Sequence, residues 1–303
     1  MKFNSLSASD KNLLILHGTV FIWGFTGILG ALISVSAVYL VWYRLLIAFV
    51  SLFLYFVFAR VNFRVNWQAF LQFIFTGALV GMHWLLFFQS IKISTVSVTL
   101  VCLSSMTLFT AVFEPLVTNK NISRLEILAG IMIITGITLI FKFESHYTKG
   151  IILGLISAAS ASIFSIINSQ FVKQKSAPVI AFYELSGAFF WLSLYLFIMG
   201  GFKNGLYLKH DDIVYLLLLG TVCTAVAYVA GVSVMRQLSA FKVALVTNLE
   251  PVYGIIMAFI FFGDLKKMTT GFWIGAVIIL STIFLFPLAQ QKIADYRTKK
   301  QTR

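Results

Sequence analysis

The chain has 303 residues, of which 60% are hydrophobic and 11% charged, with a mean hydropathy of +0.95 and a formal net charge of +13. A soluble domain is about 45–50% apolar and about 25% charged, so this chain lacks the polar surface of a water-facing globule and reads as an integral membrane protein. Its positive charge does not point to nucleic acid, because Lys and Arg sit between apolar stretches and in the C-terminal tail, a membrane topology pattern.

Ten helical spans are predicted, each near the ~20 residues that cross ~30 Å of hydrocarbon. Helix is favoured because backbone groups in lipid must be satisfied within their own segment. The first, 12–33, follows a polar stretch with no small-residue cleavage site and carries Trp23, so it reads as a retained span and not as a signal peptide. The second, 37–58, holds Arg44 in its outer half. That guanidinium either neutralises an anionic substrate group or, as expected here, snorkels to the outer headgroups. The third, 68–91, has His83 and Trp84 near its middle. A midplane His can donate to a substrate, accept a proton or bond a neighbouring helix, and it is expected to line a cavity. Gly77 and Gly81 lack a following Lys-Ser/Thr, so they read as close helix packing and not as a phosphate cradle.

The fourth span, 95–118, contains Cys102 and Glu114. Glu114 is expected to pair with Lys120 or Arg124 near the inner surface as a structural or gating charge. The fifth is 124–142. The sixth, 150–172, spaces Ser157, Ser160, Ser162, Ser165, Asn168 and Ser169 mostly by three or four residues, which makes one polar stripe. It faces either the cavity or neighbouring helices, and Ser162 is assigned to substrate. Glu184 in the seventh, 178–199, pairs with an inner basic residue or closes a gate. The eighth, 212–235, holds Cys223 and Tyr228. The two cysteines show no disulfide or metal-ligand spacing.

In the ninth span, 242–262, Thr247, Asn248, Glu250 and Tyr253 surround Pro251. Proline cannot donate its backbone hydrogen bond and is expected to kink the helix. Broken transporter helices present such freed groups to substrate or ion. Glu250 is therefore the leading site residue, and its structural alternative is a pair with Lys242 or Arg236. Trp23, Tyr43, Trp84, Tyr183 and Tyr228 are expected to add aromatic walls. The tenth span, 269–289, packs through Gly271 and Gly275. Beyond it Lys292, Arg297, Lys299, Lys300 and Arg303 form a basic run suited to anionic headgroups.

With both termini inside, the inner connections and tail carry 15 Lys and Arg and the outer connections seven, Arg44 completing the 23. That bias predicts cytoplasmic termini. It puts Glu184 and Glu250 about six to eight residues in from the cytoplasm, or ~9–12 Å at 1.5 Å per residue. The halves 1–146 and 147–303 also resemble each other. A shift of 145 residues pairs Thr76 with Thr221, Ser94 with Ser239, Leu100-Val101 with Leu245-Val246, and His83-Trp84 with Tyr228-Val229. Five spans per half imply opposite orientations, hence inverted repeats around a midplane site. The shift sets Pro251 opposite Met106, which predicts a break in the ninth span alone.

Trp23-Gly24, then Tyr43-Arg44 with Ala48, and Asn248-Leu249-Glu250-Pro251-Val252-Tyr253 followed by Phe262-Gly263-Asp264, Gly271 and Gly275 resemble the motifs of the drug/metabolite transporter superfamily, in its EamA-type branch. The resemblance spans nearly the whole chain. It implies a ten-span transporter in a bacterial inner membrane that exports amino acids or other metabolites, although fold does not choose a substrate. An alternative is a proton-coupled exporter of organic cations with Glu250 as the coupling carboxylate. No catalytic constellation, nucleotide motif, metal site or other cofactor is expected. The expected partners are a small-molecule substrate, the lipid bilayer and a candidate coupling proton, with no nucleic acid; the oligomeric state, monomer included, is left open.

Overall fold

A computed structural model describes residues 8–118, 124–203, 206–263 and 268–301. Among the described residues the structure is helical throughout and has no strand. The helices are α1 (Ala8–Leu32), α2 (Ala37–Ala59), α3 (Trp67–Ile93), α4 (Val96–Leu103), α5 (Met106–Thr118), α6 (Arg124–Phe143), α7 (Thr148–Phe171), α8 (Ala177–Ile198), α9 (His210–Gly220), α10 (Ala227–Val234), α11 (Ala240–Thr247), α12 (Leu249–Phe262) and α13 (Thr270–Gln301). Three spans are segmented: α4 with α5, α9 with α10 through a π-helical turn at Thr221–Val226, and α11 with α12.

Eight of the described spans are long and apolar enough to cross a membrane, which makes this a multi-pass membrane protein. Helices α6 and α13 occupy the expected fifth and tenth positions, but their apolar stretches, Leu128–Ile140 and Thr270–Phe286, are shorter. Among the described residues length and apolarity therefore support eight candidate crossings and do not confirm the other two of the expected ten.

Polar side chains start several helices. Asn66, Thr95 and Ser239 accept from the backbone N–H of Ala69, Val98 and Lys242, capping α3, α4 and α11. Gly263 ends α12 at φ +64°, the left-handed conformation that favours glycine at a helix terminus.

Helices from the two halves interlock. α3 packs on α7 and α8, and α2, its counterpart's partner, packs on α8, α9 and the π turn; α1 packs on α10 and α12, and α5 on α7. The broken spans meet crosswise, α4 against α12 and α5 against α11, while α6 meets its counterpart α13 directly. At the last of these a Cβ on Gly136 would lie 2.8 Å from the Gly275 carbonyl oxygen, and one on Gly275 would lie 2.6 Å from that of Gly136. Gly77 and Gly81 serve the α3–α8 crossing in the same way, against Glu184 and Ala188. Lipid gives apolar side chains no reason to bury, so such close backbone approach and interhelical polar bonds hold the bundle. Accordingly Phe58 and Leu116 are 80% and 77% exposed on the outside, while Arg44, Asn168 and Glu184 lie within.

The expectation of a single broken span is corrected. α5 begins at Met106 and α12 at Leu249, so both spans break near positions that the 145-residue shift equates. Ser104 and Ser105 at the first break donate to the carbonyls of Leu100 and Cys102, supplying locally what a proline does elsewhere. At the second, Asn248 Nδ2 reaches across to Thr107 Oγ1 at 2.5 Å, tying one break to the other. Pro251 is the third residue of α12, in the first turn, where its missing N–H would have had no intrahelical partner. It fits the break more than it makes it.

Candidate functional site

A cavity of about 750 Å³, its open mouth included, lies between the halves. Segmented helices α4–α5, α10 and α11–α12 line it, together with α1, α2, α3 and α7. Trp23 and Thr26 come from α1, His83, Trp84 and Phe87 from α3, and Phe164, Ser165 and Asn168 from α7. Tyr228 and Gly231 come from α10, Met235 from just beyond its end, and Thr247 and Glu250 from α11 and α12. Gly231 is required there: a Cβ would lie 2.8 Å from the Trp23 ring, so its absence lets the indole lie against α10.

Arg44 departs most from expectation. It does not snorkel to an interface; it is 2% exposed and lines the cavity. The π turn explains its position. Thr224 Oγ1 donates to the Leu219 carbonyl five residues back at 2.6 Å and accepts from Arg44 Nε at 2.5 Å. The guanidinium carbon then lies 3.9 Å from the centroid of Trp84, a cation–π arrangement. Its Nη1 has no hydrogen-bond partner, and no carboxylate among the described residues lies within ion-pair distance of it.

Glu250 occupies the first turn of α12 and is 6% exposed, on the cavity wall. A helix N-terminus favours a carboxylate electrostatically. Neither Lys242 nor Arg236 pairs with it, and among the described residues no hydrogen bond or ion pair engages it. Arg44 and Glu250 interact electrostatically across the cavity without touching. Two opposite charges thus line one space.

Glu184 sits behind the cavity wall, 0% exposed. No basic residue among the described residues pairs with it. Its Oε2 accepts from Tyr228 Oη at 2.7 Å and Asn168 Nδ2 at 3.1 Å. Asn168 Nδ2 also lies 3.2 Å from Tyr228 Oη. Tyr228 continues the chain of contacts, edge-on to Trp84 at 5.9 Å.

His83 serves both expected purposes, lining the cavity and joining helices. Its Nδ1 is 3.0 Å from the Ser157 carbonyl oxygen, and Ser157 Oγ donates to the His83 carbonyl at 2.9 Å. The polar stripe of α7 divides its roles accordingly. Ser157 holds α3, Ser162 binds Thr110 at 3.0 Å, and Ser165 and Asn168 face the cavity.

Other expected site residues lie apart from the cavity lining. Asn248 is engaged by Thr107, Ser162 by Thr110, and Tyr253 packs on Gly24 and edge-on to Phe21 at 5.4 Å. Tyr253 is drawn away because α1 approaches closely at Gly24, where an added Cβ would lie 2.9 Å from its side chain. Thr247 lines the cavity while donating to the Val243 carbonyl at 2.9 Å. Glu114 is buried on α5, outside the lining; of its two expected partners Lys120 lies outside the described residues, as do the Arg124 side chain, Asp264 of the closing motif and Arg303 of the tail.

At the end of the bundle where α1 and α3 finish, Asp212 joins the halves and Lys92 ties α3 to the end of α1. Asp212 of α9 accepts from Ser34 N at 2.7 Å and Ser34 Oγ at 2.6 Å, and Lys92 Nζ donates to the Ile33 carbonyl. Glu144 likewise accepts from Thr269 N and Oγ1, each at 2.7 Å, joining the end of α6 to the start of α13.

Comparison with known proteins agrees with this architecture. An uncharacterized transporter of Archaeoglobus fulgidus is 22% identical over 222 residues, covering 71% of this chain and 75% of that protein. A crystal structure of another protein superposes with a TM-score of 0.69 at 13% identity, over 92% of this chain and 98% of that one, and so shares the fold. The EamA-like transporter family matches residues 11–142 and again 148–287. The chain belongs to the EamA-like transporter family.

Proposed function

We propose that the protein is a secondary transporter that exports small metabolites, amino acids or related zwitterions, across a bacterial inner membrane. Ten spans in two inverted halves, with both termini cytoplasmic, rock about the central cavity so that it opens to one side and then the other. The observation that carries this reading is that Arg44 and Glu250 line the same cavity without touching, Arg44 lying over the face of Trp84. A guanidinium with a free nitrogen accepts a carboxylate, a carboxylate at the opposite wall accepts an ammonium, and Trp23, Trp84, Phe87 and Phe164 suit an apolar side chain. Among the other expected site residues, His83, Tyr228 and Thr247 complete the lining, while Asn248, Ser162 and Tyr253 hold the helices around it. Proton-coupled export of organic cations through Glu250 is the second reading, favoured by the aromatic walls. Arg44 in the same cavity opposes it by repelling a cation.

The experiment is counterflow in proteoliposomes with radiolabelled L-phenylalanine, L-leucine, L-threonine and tetraphenylphosphonium. Counterflow of one or more amino acids, abolished by Arg44→Gln and by Glu250→Gln, supports the proposal. Transport of tetraphenylphosphonium alone, lost in Glu250→Gln and enhanced in Arg44→Gln, replaces it with the second reading.

A further inference from the structure

Glu184 is the buried acid for which the substrate site has no use. Its carboxylate is sealed from water, touches no Lys, Arg or His among the described residues, and leaves Oε1 without a partner. Asn168 beside it likewise leaves Oδ1 without a partner. An ionised carboxylate without a cation is unfavourable inside a protein and more so inside a membrane. A proton on Glu184 removes the charge. Behind the residue the wall is backbone: Gly77 approaches so closely that a Cβ there would lie 2.3 Å from the Glu184 carbonyl oxygen. In front stand Tyr228 and Asn168, and both of these line the cavity.

We propose that Glu184 is a proton-binding site that couples substrate movement to the proton gradient, loaded from the cavity through the Tyr228 hydroxyl. The inference rests on the transport reading and adds the coupling ion and its residue, distinct from Glu250. In the loading step a hydronium ion in the cavity gives a proton to Tyr228 Oη as the Tyr228 hydroxyl proton passes to Glu184 Oε2. The products are water, an unchanged tyrosine and a neutral carboxylic acid. Unloading reverses the same transfers.

The surrounding titratable groups are engaged elsewhere. From α3, His83 is bonded to Ser157, and Lys92 to the Ile33 carbonyl. From α2, Arg44 is held by Thr224 over Trp84, while Tyr39 and Tyr43 donate to the carbonyls of Gly201 and Leu206. On α8 itself Tyr183 donates to the Phe63 carbonyl. The charged residue of α7, Lys149, lies in its first turn, well away along the helix from Asn168. Tyr228 from α10 is the titratable group in contact. Its edge-on contact with Trp84, which underlies Arg44, links the proton site to the substrate carboxylate site.

The test uses the strongest amino-acid substrate of the counterflow panel, in proteoliposomes with and without a one-unit pH difference. Wild-type protein is expected to accumulate a neutral amino acid about tenfold under that gradient, as one-for-one exchange with a proton requires. Glu184→Gln keeps both hydrogen bonds of Oε2 but mimics the proton-loaded acid, so it is expected to slow counterflow, as low pH does in the wild type, and to bring gradient-driven accumulation down to about one. Tyr228→Phe should slow gradient-driven uptake while leaving the final accumulation unchanged. Should Glu184→Gln fail to fold, proton release by weakly buffered wild-type protein on substrate addition decides: about one proton per protein supports the site and none overturns it. Accumulation in Glu184→Gln equal to wild type overturns the assignment, and wild-type counterflow indifferent to pH overturns coupling while leaving the transport reading intact. A wild-type protein that moves no amino acid overturns both.

Discussion

Replacing Arg44 by Gln separates recognition of a substrate carboxylate from every other contribution of the cavity. The wild-type guanidinium is anchored through Nε on Thr224 and by the face of Trp84 at 3.9 Å, with Nη1 unused. Removing one partner of a buried, hydrogen-bonded charge pair costs 2–5 kcal/mol or more. Because this cavity opens to solvent and Glu250 shares it, the lower part of that range applies, about 2–3 kcal/mol. At 1.4 kcal/mol per tenfold this is a loss of roughly 30–150-fold in affinity. The loss should be specific to the carboxylate. Titration calorimetry of L-phenylalanine and its amide against both proteins therefore forms a cycle. Wild-type protein prefers the acid by roughly that factor, and Arg44→Gln binds acid and amide about equally. The fold should survive, because the substitution deletes a buried charge that has no counter-ion, a change often neutral or stabilising. Equal weakening of acid and amide by the substitution would refute a carboxylate subsite at Arg44 and leave it a structural cation.

Gly77→Val should lower the melting temperature in detergent, because its Cβ would lie 2.3 Å from one backbone atom of α8 and 2.7 Å from another; overpacking of this kind costs about 1–3 kcal/mol or more. Gly18→Ala, with nothing within 4 Å, is the matched control, and equal melting of the two variants would contradict the α3–α8 crossing. Asp212→Asn leaves a side-chain oxygen that can satisfy one of the two Ser34 donors fully. With hydrogen bonds to charged groups worth about 1.5–3 kcal/mol, backbone hydrogen exchange at 33–36 should quicken roughly 10–100-fold, and unchanged exchange would remove Asp212 as a closure. Asn248→Leu should destabilise the bundle more than Pro251→Ala does, since the first strands Thr107 at a cost of about 1–3 kcal/mol and the second changes a first-turn residue; the reverse order of melting temperatures would restore proline as the cause of the break.

The membrane class, helical content and helix positions were legible because about twenty apolar residues in a row have few other solutions. The cavity was legible where a residue's value is local: His83, Trp84, Thr247 and Glu250 are polar or aromatic residues deep in spans, and all line it. Arg44 was not. Seven residues into α2 a long side chain can reach a headgroup, and what prevents it is Thr224, 180 residues away and turned inward by a π turn. Glu184 depends similarly on Tyr228, 44 residues on. The break between α4 and α5 carries no proline, and its serines resemble those that bond back along an intact helix. Asn248 and Tyr253 stand next to Glu250 in sequence, but the crossings with α5 and α1 claim them first.

Symmetry in this fold belongs to the frame and asymmetry to the chemistry. Both halves break a span near equivalent positions, and the breaks meet through Asn248 and Thr107. Yet the residue equivalent to Glu250 under the repeat is Ser105, whose hydroxyl is spent on the Cys102 carbonyl, and opposite Tyr228 stands His83, bonded to α7. A rocking motion needs similar halves so that two states of comparable energy exist. Binding a zwitterion once per cycle, as proposed above, needs the opposite, one carboxylate and one guanidinium instead of a mirrored pair of each. Duplicated acids in a dry centre would repel one another. Replacing a potential second acid by a self-satisfied serine keeps the mechanical equivalence of the broken helices and leaves Glu250 as the acid of the cavity wall, with Glu184 set apart behind Tyr228.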